Sequence, residues 1–109
     1  MRKLFILSFL FLVGCNSLPE NGTFKPAVLK LVNSSTYDVY YLYVAPCDAV
    51  TWGADQLGTE IVPAGKEFTL NNIPPGCYHL LADTNTLIFW ESDGPVNLRG
   101  NHTFSWILR

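Results

Sequence analysis

The feature that most constrains this chain is how often its backbone is told to turn. From Ala27 onward, turn-forming residues recur about every ten positions, and no window repeats apolar residues at the 3.6 period of a helix. That spacing excludes a helical bundle and leaves short strands. Ala27 to Val32 reads as a strand closed by Asn33-Ser34-Ser35, and Tyr37 to Ala45 as a second, closed by Pro46. Cys47 to Thr59 is polar and Gly-containing, a long loop with room for one helical turn. Glu60-Ile61-Val62 is a short strand before the turn Pro63-Ala64-Gly65, and Lys66 to Leu70 alternates as an edge strand does. Asn71 to Gly76 is a loop. Cys77 to Ala82 and Leu87 to Trp90 flank Asp83-Thr84-Asn85-Thr86 as a hairpin. After Ser92 to Pro95 come Val96 to Leu98 and a last strand, His102 to Leu108. Seven or eight such strands predict an all-β domain over residues 27–109: a small antiparallel β-sandwich, immunoglobulin- or transthyretin-like.

Composition narrows the class further. Of 109 residues, 49% are hydrophobic, 14% aromatic and 15% charged, with a formal charge of −2. Nucleic acid is excluded as a partner by the lack of a basic balance, and extensive disorder by the apolar content. A domain this size buries somewhat under ~70% of its unfolded surface, enough for one core.

The start of the chain reads as an address. Met1-Arg2-Lys3 is basic, and Leu4 to Val13 is a ten-residue run interrupted only by Ser8. A membrane-crossing helix needs about 20 residues, so the pattern is that of a cleaved secretory signal over residues 1–14. Leu12-Val13-Gly14-Cys15 then resembles the lipobox of bacterial lipoproteins. The resemblance implies that Cys15 becomes the mature N-terminus, carrying a thioether-linked diacylglycerol and an N-acyl chain. More than one acyl chain holds a protein stably on its membrane. Asn16, where Asp signals inner-membrane retention in many Gram-negative bacteria, implies the outer membrane if the organism has one. Residues 15–26 form the lipidated N-terminus and a flexible tether, which spans roughly 17–20 Å as a coil.

With Cys15 assigned to lipid, Cys47 and Cys77 remain as an even pair in an exported domain. A disulfide between them closes a loop of about 30 residues and contributes roughly 3.5 kcal/mol. Two separate buried thiols are the alternative. A metal-binding or catalytic pair lacks an accompanying His cluster.

A second resemblance covers nearly the whole mature domain. Thr51-Trp52-Gly53-Ala54-Asp55-Gln56-Leu57-Gly58, Ile61-Val62-Pro63-Ala64-Gly65 and Ile73-Pro74-Pro75-Gly76-Cys77-Tyr78 are similar to motifs of a class of small exported bacterial proteins. These carry S/T-W-G-x-D-x-L-G, I-x-P-G and P-x-G-x-Y-D-L, and end on an aromatic strand, here Thr103 to Leu108. Asn33-Ser34-Ser35 with Tyr37 to Val44 fits the same pattern. The resemblance implies a β-sandwich and export, without an activity. His79 stands where the pattern has Asp, so a role of that Asp does not carry over.

The residues that could bind something are few. Trp52 beside Asp55 in a loop could stack on a sugar ring while the carboxylate takes a hydroxyl. The plainer reading makes Trp52 a plug at the open end of the sandwich and has Asp55 bond loop amides. On the second strand, Tyr37, Val39, Tyr41 and Tyr43 share one face and Asp38, Tyr40, Leu42 and Val44 the other. Whichever face turns outward exposes aromatic surface; Tyr41 and Tyr43 would extend the Trp52 surface if theirs does. His79 and His102 are isolated, so no metal site is expected. Glu91-Ser92-Asp93-Gly94 lacks the repeated oxygen ligands of a calcium loop. No nucleophile motif is present. The expectation is a membrane-anchored envelope lipoprotein acting as a non-catalytic binding module toward another envelope protein, without enzyme activity or cofactor. A carbohydrate or peptidoglycan binder and a small inhibitor or immunity lipoprotein are the alternatives.

Overall fold

The structure, a computed structural model, describes residues 25–109. The expected signal peptide, Cys15 and all but the last two residues of the tether lie outside the described residues. The domain is all-β, with seven strands: β1 (Ala27–Asn33), β2 (Tyr41–Pro46), β3 (Glu67–Ile73), β4 (Gly76–Asp83), β5 (Phe89–Glu91), β6 (Val96–Leu98) and β7 (Thr103–Leu108). Among the described residues there is no helix, and the segment after Cys47 is a chain of turns and bends.

Two sheets form the sandwich. One has the order β3-β1-β7; in the other β2 and β5 flank β4, with β6 also on β4. β5 and β6 are two pieces of one edge, because they pair with opposite ends of β4: Leu81↔Glu91 to Asp83↔Phe89, and Gly76↔Leu98 to Tyr78↔Val96. Ser92 sits at the break and keeps the ladder closed. Its amide donates to Leu80 O at 2.9 Å, and its hydroxyl oxygen accepts from the Leu80 amide at 3.0 Å.

One pair departs from the antiparallel expectation. The first and last strands, β1 and β7, run parallel, from Val28↔Thr103 to Asn33↔Leu108. The chain must therefore return to the Ala27 end before its last strand begins. Asn101, at φ 62°, turns it there, its amide on Pro26 O at 3.0 Å.

Alternation builds the core. Ala27, Leu29 and Leu31 of β1 face Leu42 of β2, Tyr78, Leu80 and Ala82 of β4, and Leu98 of β6. Asn33 is the polar member of this row, fully buried and fully bonded. Its Nδ2 donates to Tyr37 O and Val62 O at 2.7 and 3.0 Å, and its Oδ1 accepts from the Ser35 amide and hydroxyl at 3.1 and 2.6 Å. Burying an amide side chain is tolerable only with such partners.

The second strand is shorter than its composition indicates. Val39 makes an isolated bridge to Val62, and the regular ladder with β4 begins at Tyr41. Val39 and Leu42 are both buried, so the alternation slips between them. The switch of partner, Val39 to Val62 and then the Tyr40 amide to Asp83 O, imposes the slip. It sends Tyr41 and Tyr43 to the opposite side from Val39. Glu60 to Val62 contributes only that bridge. β3 instead runs on to Ile73, because an extra residue at Asn71-Asn72 is absorbed as a bulge opposite Val28, with Asn72 at φ 62°.

Candidate functional site

The two central features of the site are a loop and the strand beneath it. Residues 47–59 leave β2 after Pro46 and return along its free edge. At their root, Cys47 is joined to Cys77 with the Cα atoms 5.4 Å apart, and the Cys47 amide donates to Cys77 O at 2.9 Å. The disulfide thus extends the β2–β4 pair beyond Pro46↔Tyr78 and fixes where the loop departs.

Asp55 fixes where it comes back. Its Oδ1 accepts from the Leu42 and Leu57 amides at 2.9 and 3.0 Å, and its Oδ2 accepts from the Gly58 amide at 3.1 Å. The Gln56 amide donates to Leu42 O at 2.7 Å. The carboxylate and the Gln56 amide therefore take the place of a neighbouring strand on the open edge of β2. Gly58 closes this turn at φ 63°, a conformation that a side chain would oppose. Asp55 thus bonds loop amides and anchors the loop.

The loop's apolar anchor is Leu57, 4% exposed and part of the core. Trp52 is not in the core. It is half-buried and leans on the outward side of β2, its ring 6.5 Å from that of Tyr43 and tilted 50° to it. Tyr41 and Tyr43 stack along the strand, ring centroids 6.4 Å apart and planes 13° from parallel. Three residues singled out from sequence, Tyr41, Tyr43 and Trp52, are therefore one row on one face. Asp55 supports that row from the strand edge.

Strands β4 and β5 complete the face. Asp83, Leu81 and His79 lie opposite Tyr41, Tyr43 and Ala45, and beyond them Phe89 and Glu91 lie opposite Asp83 and Leu81. Between the loop and this sheet is a groove of about 270 Å³, lined by Ala45, Val50, Trp52, His79 and Glu91 among others. Desolvation, then the carboxylates of Asp55 and Asp83 and the neighbouring Tyr41, push the Tyr43 hydroxyl above the ordinary phenol range. The field at this face is negative.

The outward residues of β4 and β5 were not recognisable from sequence. In Cys77-Tyr78-His79-Leu80-Leu81-Ala82 both alternating sets are apolar enough to be core, so the pattern does not say which turns out. The second histidine, His102, is elsewhere, its Nδ1 2.8 Å from Gly100 O. Among the described residues no group of three or more His, Cys, Asp or Glu side chains is placed to hold a metal ion. Compared with models of protein families, with curated proteins and with solved structures, the chain matches none.

Proposed function

We propose that this chain is an envelope lipoprotein whose β-sandwich is a non-catalytic binding module, presenting the Tyr41–Tyr43–Trp52 face to a partner. The observation that carries the reading is the convergence of those three rings on one outward face beside an open groove. Isolated exposed aromatics need no explanation, but a contiguous row with a built supporting loop does. Rigid aromatics present large contact area at little entropic cost, which suits recognition. The anchor in this reading is diacylglycerol on Cys15, with the outer membrane as its site in a Gram-negative cell. Lys25 and Ala27 enter the domain at the end that also holds Ile73, Gly76 and the disulfide. The aromatic face then runs up the side of the domain, from Trp52 near the tether to Tyr41 at the far end.

The test separates anchor from face. Cys15→Ser should leave an unprocessed precursor with no acyl label, and normal labelling would remove the lipoprotein reading. The Tyr41→Ser/Tyr43→Ser variant, lipidated as usual, should lose the proteins or glycans that co-purify with the wild type. An unchanged set of co-purifying molecules would remove the binding face. Trp52→Ala distinguishes contact from packing: a plug in the core would cost roughly 3–5 kcal/mol. A half-buried ring on the outside should cost about 1 kcal/mol, the scale of an aromatic pair contact.

A further inference from the structure

The charge on this face is as one-sided as its aromaticity. The described residues contain five Lys and Arg side chains, Lys25, Lys30, Lys66, Arg99 and Arg109, and none of them belongs to β2, β4, β5 or the loop 47–59, where the one basic residue type present is a histidine, His79 beside the groove. The same four segments hold Asp48, Asp55, Asp83 and Glu91. Asp55 is committed to three amides, though its charge remains. Asp83 and Glu91 have no ion-pair partner among the described residues, where the one salt bridge joins Lys30 to Glu67 at 3.4 Å on the opposite sheet. The two carboxylates flank Leu81 in the middle of the face, Asp83 directly across from Tyr41 and Glu91 beside the groove.

We infer that this face takes a basic segment of a protein partner, an Arg or Lys side chain lying across the rings of Tyr41, Tyr43 and Trp52 with its charge against Asp83 and Glu91. The inference rests on the binding-face reading above and names its partner. A cation over an aromatic ring within about 6 Å of the centroid is attracted by the ring's negative face, and a guanidinium also stacks on it. Two stacked rings 6.4 Å apart, their planes 13° from parallel, form a row on which a flat guanidinium can stack in turn, with Trp52 inclined at its end. Carboxylates placed beside the rings then meet the charged head, and their mutual lack of counter-charge is relieved on binding. A neutral glycan would use the rings equally well but would draw nothing from the exclusion of Lys and Arg.

The experiment uses the full lipidated protein in a zwitterionic detergent and measures anisotropy of two fluorescent peptides, one alternating Arg and Ser, the other Glu and Ser. The Arg peptide should bind and the Glu peptide should not. Asp83→Asn/Glu91→Gln should weaken binding at least tenfold, and Tyr41→Ser/Tyr43→Ser, which removes no charge, at least fivefold. Glu67→Gln on the other sheet should change it less than twofold. Three results with the peptides would overturn the inference: no preference for the Arg peptide, equal effects of Glu67→Gln and Asp83→Asn/Glu91→Gln, or insensitivity to loss of the tyrosines. Binding of an N-acetylglucosamine tetramer in place of the Arg peptide, abolished by the tyrosine variant, would overturn the basic partner while leaving the binding face intact. A concentration-dependent dimer lost on Tyr41→Ser would assign the face to a second copy, and would equally overturn it.

Discussion

The two outward faces of this sandwich share an architecture and differ in nearly everything else. On the β3-β1-β7 sheet, the outward residues of β1 are Val28, Lys30 and Val32, with Thr103, Ser105 and Ile107 beside them on β7. Lys30 is paired with Glu67, both side chains partly exposed, so charge is balanced locally. That is what a solvated sheet face needs and no more. On the β2-β4-β5 sheet the outward set is Tyr41, Tyr43, His79, Leu81 and Phe89 with Asp83 and Glu91, and no Lys or Arg is among them. The second face also has an apparatus the first lacks: a disulfide-rooted loop that lays Trp52 over it and is held by Asp55. The difference between the faces thus lies in the loop as much as in the strands. Asp55 and Leu57 close the edge of β2 and tie the loop to the core, while Trp52 rests on the outward side of the strand.

The largest expected effect breaks the loop's root. Replacing Cys47 and Cys77 by Ser frees a span with a sequence separation of 30 residues. The unfolded chain regains entropy, and unfolding free energy should fall by about 3.5 kcal/mol in a denaturant titration. Amide exchange should show the loss unevenly, with the Leu42, Leu57 and Gly58 amides on Asp55 opening before those of β1 and β7. Uniform opening would mean that the loop is not a separate unit.

Much of this was legible in the chain and some was not, for physical reasons. Strand positions follow turn residues, so β1, β4, β6 and β7 lie close to where Asn33, Pro75-Gly76, Pro95 and Asn101 put them. The Cys47–Cys77 pairing follows from there being two cysteines left in the domain. Tyr41 and Tyr43 could be placed on a shared face but not on a side, because the slip at Tyr40 depends on Val62, about 20 residues on. The parallel β1–β7 pair was likewise invisible, since strand pattern carries no direction. The role of Trp52 divided from that of Asp55 for a related reason: a carboxylate finds amides locally, whereas where an indole rests depends on the sheet beneath it.

A smaller effect tests how the two sheets are joined. Tyr78 of β4 faces the core, and its hydroxyl donates to Pro74 O at 2.5 Å, just past the end of β3. Burial pushes its hydroxyl up to about 12, from 10.0 for a free phenol. The neutral form is favoured in the folded state, so this contribution is complete below pH 10 and is lost as pH rises through about 12. Over that interval wild-type stability should fall more steeply with pH than that of Tyr78→Phe, by roughly 1–3 kcal/mol in all. Urea melts of both proteins at several pH values make the comparison, and the titrations of other groups cancel in the difference. Parallel curves would show that Tyr78 is not held neutral by the junction of the sheets.

The smallest stability effect sharpens the comparison most. Ile107 on the first face and Tyr41 on the second are equally half-open, at 45% and 40% exposure. Surface substitutions away from special features change stability by no more than about 0.5 kcal/mol. Ile107→Ser should stay within that range. Tyr41→Ser should lie only slightly beyond it, by about the ring contact it loses to Tyr43. Thermal melts should therefore barely tell the two variants apart. Binding should separate them: Tyr41→Ser loses affinity for the partner of the aromatic face, and Ile107→Ser keeps it, because only one face carries rings and unpaired carboxylates together. If both variants kept full binding, the asymmetry between the faces would be a matter of composition. If Ile107→Ser alone lost it, the working face would be the one that looks merely solvated.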